Sequence, residues 1–345
     1  MTHETDKGQE TTAKRGSTRG QTWADDLSPD SGFMTQLHQG QEHYVKTGEP
    51  IVDAPTTGLP TLDELMGGLR PGRLVIVGAR PSVGKSLVLM DWARVVAKQG
   101  KKALFFSLDN SEDHNRALAN WTATDIDCIR RKTMAKDQCE RVDAVVNGDA
   151  RQLARNLMWG SQQAVTLTKI AAQAQSAEAR GLDVVFVDYL QLVRPAAGDL
   201  EQPQHVRIGN ICRGLKQLAV ELDICVVVGA QLNRQRETSD RRPRLHHLAD
   251  SGSIEQDADQ VVLLDRCEAE VMRSTLHEIQ SEGMYKTVSV LLMYLEKNRH
   301  GNRSAIACWA DWKCGRFEEM PPGTGPRSIR EALDVERAEL STWQR

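Results

Sequence analysis

The sequence predicts an α/β protein with a mostly parallel central sheet, helices on both faces and an antiparallel C-terminal extension. Three observations favour this class. Continuous apolar runs of strand length alternate with amphipathic stretches, which is typical of buried parallel strands joined by helices. A glycine-rich turn connects the first of these runs to a helical stretch near residue 84. The last apolar runs, from residue 260 onwards, are spaced as in an antiparallel meander.

Length and composition exclude several classes of protein before any motif is considered. The chain has 345 residues, 40% of them hydrophobic and 26% charged, which is typical of a folded protein and not of a disordered or collagen-like one. The net charge of -3 excludes a histone-like protein held on nucleic acid by bulk charge. The seven cysteines include no C-x-x-C pair, which disfavours zinc or a disulfide framework. Without a signal peptide or a run of roughly 20 apolar residues, a cytoplasmic protein with no membrane contact is expected.

The first segment predicted to fold is a helix near residue 40. Residues 1–32 hold almost no large apolar side chain before Trp23, so a disordered tail is predicted there. Apolar residues from Phe33 to Val45 recur at roughly helical spacing, and the following glycine and proline would end the helix. The helix could pack on its own domain or dock on a neighbouring subunit, and periodicity does not separate these alternatives.

Strands and helices then alternate along the chain. Buried apolar runs predict strands over RLVIVGA (73–79), KKALFFSLD (101–109), LDVVFVDYLQLV (182–193) and ICVVVGAQ (224–231). Helices are predicted from Lys85 to Gly100, through most of 111–156, from a cap at Thr168 to about Arg180, and over 207–221. The late meander would comprise QVVLLD, KTVSVLLMYLE and RSAIACWA. A charged helix is predicted after the Pro-Pro-Gly at 321–323.

The strongest chemical signal is the turn between the first strand and its helix. Its residues are Ala79, Arg80, Pro81, Ser82, Val83, Gly84, Lys85 and Ser86. This is the spacing of a P-loop, with alanine in the first glycine position. Backbone N–H groups at the helix N-terminus would bind phosphates, Lys85 would reach the β- and γ-phosphates, and the Ser86 hydroxyl would bind Mg²⁺. The strand before it and the helix after it disfavour the alternative, an ordinary turn with a chance Gly-Lys-Ser.

Polar residues at other strand ends extend this predicted site. Asp188 ends an apolar strand, where a P-loop protein needs a carboxylate to hold Mg²⁺ through its water shell. Asp109 ends another strand and could orient or deprotonate an attacking water, and Glu112 is a weaker candidate. Gln231 follows a third strand and could sense the γ-phosphate. An alternative interpretation, nearly as good, is that Gln231 is a polar strand-end residue without such a role.

An arginine-rich segment (234–244) suggests a contact with nucleic acid. Five arginines lie within its eleven residues, and two small residues follow: Arg234, Arg236, Arg241, Arg242 and Arg244, then Ser251 and Gly252. Such side chains and glycine N–H groups suit phosphate contacts rather than base reading. A solvated loop has the same composition. Six copies facing a ring channel would concentrate positive charge there, although each chain has a net charge of -3.

Taken in order, these motifs resemble the RecA-like ATPase core of the DnaB-type replicative helicases, in helicase superfamily four. The similarity extends over roughly residues 33 to 320. It is carried by TTGLPTLDELMGGLRPG, ARPSVGKS, FFSLDNS, VDYLQLV, ICRGLKQLAVELDICVVVGAQLNR, DSGSIEQDAD and EKNRHGNRS. ARPSVGKS alone indicates an ATPase, whereas its combination with VDYLQL, QLNR and SGSIEQDAD is much more specific.

The resemblance implies an ATP-dependent DNA helicase of the replication fork. It implies movement on single-stranded DNA with 5′ to 3′ polarity, a homo-hexameric ring, and hydrolysis of ATP with Mg²⁺ between subunits. Lys85 and Ser86 would bind phosphate and Mg²⁺, and Asp188 would be the Walker B carboxylate. Asp109 would replace the family's catalytic glutamate, and Gln231 would couple the nucleotide to the DNA loops.

The resemblance also implies a residue pair that acts on the neighbouring subunit. Lys297 and Arg299 match the family's basic finger, which enters the adjacent ATP site and stabilises charge developing on the γ-phosphate. Composition alone would favour a solvated strand end for both residues. If the finger acts in trans, an isolated protomer should hydrolyse ATP poorly and activity should rise with assembly.

Departures from the family pattern leave other functions open. Asp109 is one methylene shorter than glutamate, and Ala249-Asp250 stand where the family commonly has arginine-glutamate. The polar tail offers no counterpart of the collar that engages primase, and the sequence does not identify a primase or loader partner. One alternative is a DnaB-like ATPase without robust unwinding, such as a loader or a recombination or regulatory ring. Another is a nucleotide-binding scaffold with degraded catalysis.

The expected organisation therefore has four parts. They are a disordered tail at 1–32, a linker helix at 33–50, a RecA-like ATPase domain at 51–320 and a helical tail at 321–345. The stretch from Arg266 to Gly283 is longer than is typical of the family, and the sequence indicates no role for it.

Overall fold

The computed structural model describes residues 32–47, 54–109, 112–148, 151, 154–163, 165–195, 197–199, 201–233, 242–248, 251–272 and 285–321. The chain divides between residues 51 and 52 into two units. The first contributes helix α1 (Gly32–Thr47), so the predicted helix near residue 40 is confirmed. The predicted N-terminal tail, apart from Gly32, and the predicted C-terminal helix lie outside the described residues. Among those described, no helix is long and apolar enough to cross a membrane.

The second unit is built on a nine-stranded sheet with the order β3-β2-β4-β5-β1-β6-β7-β8-β9. The strands are β1 (Leu74–Ala79), β2 (Lys102–Ser107), β3 (Leu157–Trp159), β4 (Leu182–Asp188), β5 (Cys225–Gln231), β6 (Gln260–Met272), β7 (Tyr285–Asn298), β8 (Ala305–Asp311) and β9 (Arg316–Glu319). Neighbours from β3 through β6 pair in parallel, and β7 to β9 extend the sheet by antiparallel pairing. The predicted mixed sheet is confirmed.

Helices cover both faces of this sheet. The helices of this unit are α2 (Pro60–Met66), α3 (Lys85–Lys98), α4 (Asp113–Thr122), α5 (Ile126–Arg131), α6 (Lys136–Asn147), α7 (Leu167–Glu178), α8 (Gln204–Glu221) and α9 (Ser251–Asp257). Of these, α5 and α6 have no buried residue. Alternate residues of each strand point to opposite faces. Leu74 and Ile76 of β1 accordingly join one buried cluster with α7 and α8, whereas Val75 and Val77 join another with α3.

Three local predictions are corrected by the structure. Helix α7 is capped by Thr166, whose hydroxyl accepts the Lys169 N–H at 3.3 Å, and not by Thr168. Strand β4 stops at Asp188, and the apolar residues after it form a 3₁₀ turn that begins with the fully buried Leu190. Strand β6 belongs to the meander only on its β7 side, because its other side pairs in parallel with β1. In the last two cases the residues are apolar because they are buried, and not because they pair as predicted.

The parallel strands bring four polar or small residues to one edge of the sheet. Ser107 at the end of β2 is level with Asp188 at the end of β4, and Ala79 of β1 is level with Gln231 of β5. Ligands of open α/β sheets bind at this carboxyl edge. The fold therefore gathers the predicted phosphate, metal and water-positioning residues in one place.

Candidate functional site

The turn between β1 and α3 has the backbone geometry of a phosphate-binding loop. Ser82 and Gly84 adopt left-handed φ angles of 65° and 107°, and α3 begins at Lys85. The first N–H groups of a helix lack partners within the helix, so they are available to an anion. A β-carbon at Gly84 would lie 2.6 Å from the Trp312 ring. Both the φ angle and the available space therefore require glycine at residue 84.

A cavity of about 410 Å³ opens beside this turn, within the usual size range of small-molecule sites. It is lined by Ala79, Arg80, Pro81, Ser82, Gly84, Lys85, Ser86, Leu87, Asp109, Arg116, Tyr189 and Gln231. Of the P-loop residues, Val83 does not line it. The structure thus brings together Lys85, Ser86, Asp109 and Gln231, which the sequence predicted from three separate stretches of the chain.

Lys85, which lines the cavity, forms an ion pair with Asp188, which is buried behind it and is not a lining residue. The Lys85 ammonium contacts Asp188 Oδ1, and only 1% of the Asp188 side chain is exposed. The other carboxylate oxygen, Oδ2, is also buried and has no hydrogen-bond partner among the described residues. An unpaired buried carboxylate oxygen is costly unless a ligand satisfies it.

These features fit Mg²⁺ bound together with a nucleotide. Asp188 Oδ2 could accept a hydrogen bond from a water of the metal's shell, and Ser86 lies on the cavity that Lys85, the partner of Asp188, also lines. In the part of the chain that the structure describes, no three His, Cys, Asp or Glu side chains cluster as ligands for a metal. The ion would therefore depend on the phosphates for much of its coordination, as is usual for Mg²⁺ in such sites.

Asp109 and Gln231 occupy the rim of the cavity. Asp109 is exposed and lies two residues beyond β2. The Gln231 N–H donates to Gln191 Oε1 at 3.1 Å, and Gln191 Nε2 donates to the Gln231 carbonyl at 3.4 Å. The next residue, Leu232, forms an isolated bridge with Leu248. Gln231 therefore lies between the cavity and Leu232, which is two residues before the arginine-rich segment.

Three residues that line the cavity, Leu87, Arg116 and Tyr189, were not predicted as site residues. Arg116 is held by the buried Asp113 at 2.7 Å, and Asp113 also accepts the Ser107 hydroxyl. Burial raises the pKa of Asp113, and the hydrogen bonds and the arginine charge oppose this rise. The Lys85 ammonium lies 4.2 Å from the centre of the Tyr189 ring. Nothing in the contiguous sequence indicated that α4 returns to the cavity, although Asp113 and Arg116 have the i,i+3 spacing of a helical pair.

Gly229 on β5 leaves room for the Lys85–Asp188 pair. A β-carbon there would lie 3.0 Å from Lys85 Cδ and 3.2 Å from Asp188 Oδ1. We expect a Gly229→Ala variant to displace the lysine and weaken nucleotide binding by about 1–3 kcal/mol, the usual cost of overpacking. Calorimetric titration with ATP measures this change. Gly198→Ala is the control, because nothing lies within 4 Å of its added β-carbon. Equal affinities of the two variants would contradict the expectation.

The predicted basic finger, Lys297 and Arg299, lies at the amino ends of the parallel strands, opposite the carboxyl edge that holds the cavity. Asn298, between them, pairs with Gln260, which pairs with Val75 near the start of β1. Four more residues of β1, at about 3.3 Å each, separate this level from the P-loop by about 13 Å. Neither finger residue lines the cavity of its own subunit. Burial lowers the pKa of Lys297, and the Arg299 charge lowers it further.

The predicted DNA-binding residues are only partly described. Arg234, Arg236 and Arg241 lie outside the described residues. Arg242 pairs with Glu296 at 2.5 Å, and 13% of its side chain is exposed. This burial favours an anchoring role for Arg242 over the predicted DNA contact. Arg244 is partly exposed, Ser251 begins α9, and the next residue, Gly252, is exposed.

Residues 55–319 match the protein family described as DnaB-like helicase C terminal domain. The chain belongs to this family. It is 38% identical over 279 residues to the replicative DNA helicase DnaB of Leifsonia xyli subsp. xyli, which covers 78% of this chain and 58% of that protein. It is 32% identical over 277 residues to a probable plasmid replicative DNA helicase of Chlamydia psittaci, covering 79% and 57%. This DnaB-like chain thus spans less than two thirds of the length of these relatives.

Solved structures share the fold of this DnaB-like domain. The structure of a DnaB-like replicative helicase and its interactions with primase superposes with a TM-score of 0.67 at 22% identity, over 84% of this chain and 67% of that one. The ATPase domain of G40P gives a TM-score of 0.68 at 22% identity, over 84% of this chain and all of that one. The RecA-like architecture predicted from the motifs is confirmed.

Proposed function

We propose that this chain is an ATP-dependent DNA helicase motor that translocates on single-stranded DNA during replication, with ATP hydrolysed at the subunit interfaces of a hexameric ring. The observation that best supports this proposal is that the P-loop and the basic finger lie at opposite ends of the parallel strands. The P-loop follows the carboxyl end of β1, and the finger is level with its amino end. Each subunit then has half of a hydrolysis site at either edge. A ring of subunits joins these halves without leaving any unused.

The chemistry proposed for the cavity begins with phosphate binding. The N–H groups at the start of α3 would hold the phosphates, and Lys85 would turn from Asp188 to the β- and γ-phosphates. Bound Mg²⁺ would neutralise charge on these phosphates. Asp188 would orient the waters of the metal through its unpartnered oxygen. Because the Lys85 ammonium already lies beside Asp188, it would move only a short distance when the nucleotide binds.

Hydrolysis and DNA binding would follow from the residues at the rim. Asp109 would orient the attacking water and accept its proton, and the neighbour's Arg299 and Lys297 would stabilise charge that develops on the γ-phosphate. Gln231 would transmit the state of the nucleotide to the arginine-rich segment, since the next residue, Leu232, pairs with Leu248 and these two leucines flank that segment. The segment and the start of α9 would contact DNA phosphates, with little dependence on base sequence.

Asp109 favours a second candidate, a DnaB-like ATPase without robust unwinding. Its side chain is shorter than glutamate, so the water is held less closely and hydrolysis slows. As a loader, recombination factor or regulatory ring, such a protein would still bind DNA and hydrolyse ATP.

Forked-DNA unwinding measured beside DNA-stimulated ATP hydrolysis tests the proposal. We expect the protein to separate the strands with ATP and to hydrolyse ATP faster when single-stranded DNA is added, because DNA binding and hydrolysis share the Gln231 link. Lys85→Ala protein is the control and should do neither. Stimulated hydrolysis without strand separation would favour the second candidate. Binding of ATP with no hydrolysis would contradict both and indicate a nucleotide-binding scaffold.

A further inference from the structure

Asp259 is a buried carboxylate at the amino ends of the parallel strands, away from the cavity. It lies directly before β6, and only 4% of its side chain is exposed. Its Oδ2 atom accepts the Leu74 N–H at 2.8 Å, and its own N–H donates to the Leu74 carbonyl at 2.9 Å. Lys216 on α8 donates to the same Oδ2 atom at 2.6 Å. Asp259 is therefore fixed to the first residue of β1 and to a helix on one face of the sheet.

The basic finger is attached to this aspartate. The Arg299 N–H donates to the Asp259 carbonyl at 3.0 Å, which fixes the main chain of the finger. The Arg299 guanidinium lies 3.6 Å from Asp259 Oδ1 and donates to the Gln256 carbonyl on α9. Because 44% of the arginine side chain is exposed, this ion pair is weak. The guanidinium can therefore leave the carboxylate for a phosphate while its main chain stays in place.

The charge of Asp259 also holds cations of the finger together. Burial lowers the pKa of Lys297 and the Arg299 charge lowers it further, whereas the charge of Asp259 opposes both effects. The next residue, His300, is affected in the same way, since burial and the charge of Arg73 lower its pKa and Asp259 opposes them. Like charges at such short range repel one another. Without the carboxylate, the cations of the finger would move apart.

We propose that Asp259 is a positioning residue that holds the finger in the orientation required by the neighbouring subunit's ATP site. The proposal rests on the proposed function, because it assumes that Lys297 and Arg299 act in trans. The main-chain contact fixes the start of the arginine, and the carboxylate directs its guanidinium until a γ-phosphate takes its place. The same carboxylate holds the first residue of β1, the strand that leads to the P-loop. Asp259 itself contacts neither the bound nor the neighbouring nucleotide.

An Asp259→Asn variant tests this role. Asparagine keeps the size of the side chain and an acceptor for the Leu74 N–H but removes the charge. We expect ATP hydrolysis by the assembled protein to fall about tenfold, below the roughly hundredfold loss that a misplacement of about 1 Å can cause. ATP affinity should not change. Asp183→Asn is the matched control, because Asp183 accepts the N–H of Lys102 at the start of β2 and pairs with Lys101, but lies on β4, two strands from β1.

Mixtures of subunits distinguish a misplaced finger from damage to the variant's own ATP site. Mixed equally with Lys85→Ala subunits, whose finger is intact, Asp259→Asn protein should hydrolyse ATP roughly threefold faster per subunit, because about a quarter of the interfaces combine an intact P-loop with an intact finger. Mixed equally with Arg299→Ala subunits it should hydrolyse ATP about twofold more slowly, because half of the interfaces then lack the arginine. The reverse pair of changes would place the defect in its own ATP site and overturn the proposal.

A double variant keeps the test decisive if the single variant is unstable. Asp259→Asn leaves the Lys216 ammonium without its buried counter-charge. Asp259→Asn/Lys216→Met removes the cation as well, and replacing both partners of a buried ion pair is often neutral for stability. Its rate should stay low and respond to the two mixtures in the same way. Recovery of the unaltered rate in the double variant would assign Asp259 a structural role only and overturn the proposal, as would equal rates of Asp259→Asn and Asp183→Asn protein.

Failure of the proposed function has a different signature. If the mixture of Arg299→Ala with Lys85→Ala subunits stayed inactive, the finger would not act in trans, and the positioning role would fall together with the proposed function. If that mixture recovered hydrolysis while Asp259→Asn protein was unaffected, the positioning role alone would be overturned.

Discussion

Replacing Arg299 with alanine will slow ATP hydrolysis by the assembled protein about a thousandfold, the lower end of the range known for trans arginines. ATP binding should change little, because Arg299 does not line the cavity of its own subunit. The reason is geometric: the finger is level with the start of β1, and the P-loop follows the end of that strand. Single-turnover hydrolysis and a nucleotide titration measure the two effects. Arg303→Ala is the control, since this exposed arginine lies just beyond the finger.

Mixing two inactive variants tests whether the arginine acts in trans. In an Arg299→Ala subunit the P-loop is intact, and in a Lys85→Ala subunit the finger is intact. When the two are assembled together at equal amounts, about a quarter of the interfaces, one half times one half, combine an intact P-loop with an intact finger. The rate of ATP hydrolysis should recover to about a quarter of the rate of the unaltered protein. If every site used its own Arg299, the mixture would stay inactive and trans action would be excluded.

Replacing Lys85 with alanine should reduce hydrolysis by about 10²–10³, the usual effect of deleting one charge-stabilising donor, and should also weaken ATP binding. Removal of the lysine leaves Asp188 buried at 1% exposure without its cation. A buried carboxylate that has lost its partner is destabilising. The variant should therefore also melt at a lower temperature when nucleotide is absent.

A companion variant separates these two effects. Lys85→Ala/Asp188→Asn protein removes the unpaired charge, so its melting temperature should rise above that of Lys85→Ala while hydrolysis stays low. Lys101→Ala is the matched control, because Lys101 is half exposed and makes only a surface pair with Asp183. Wild-type ATP affinity in Lys85→Ala protein would reject the P-loop assignment.

Much of the fold could be predicted because its signals are local. A buried strand is a short run of β-branched and aromatic residues, and its alternate side chains meet opposite faces whatever the partner strand is. The P-loop was predictable for the same reason, since strand, turn and helix are contiguous from Leu74 to Lys98. Strand β3 was missed because three residues carry too little pattern. The cap of α7 was misplaced by two residues, since Thr166 and Thr168 are chemically equivalent in the sequence.

Residues that depend on distant partners were beyond prediction. Arg116 resembles any exposed helical arginine until α4 is placed beside the cavity. Glu296 and Arg242 are 54 residues apart in sequence, and each would be expected on a solvated surface. In the sequence Gly229 is one small residue within an apolar strand, yet its missing side chain makes room for Lys85.

The sequence by itself determined the class of fold, the turn predicted to bind phosphate and the carboxylates at the strand ends, because each rests on neighbouring residues and on the period of the backbone. Only the tertiary structure decided which of these residues share one cavity and which lie on the far edge. Strand order and direction set that distribution, and they result from the packing of segments far apart in the chain. The placement of the finger at the edge opposite the P-loop is a property of the sheet and not of any single motif.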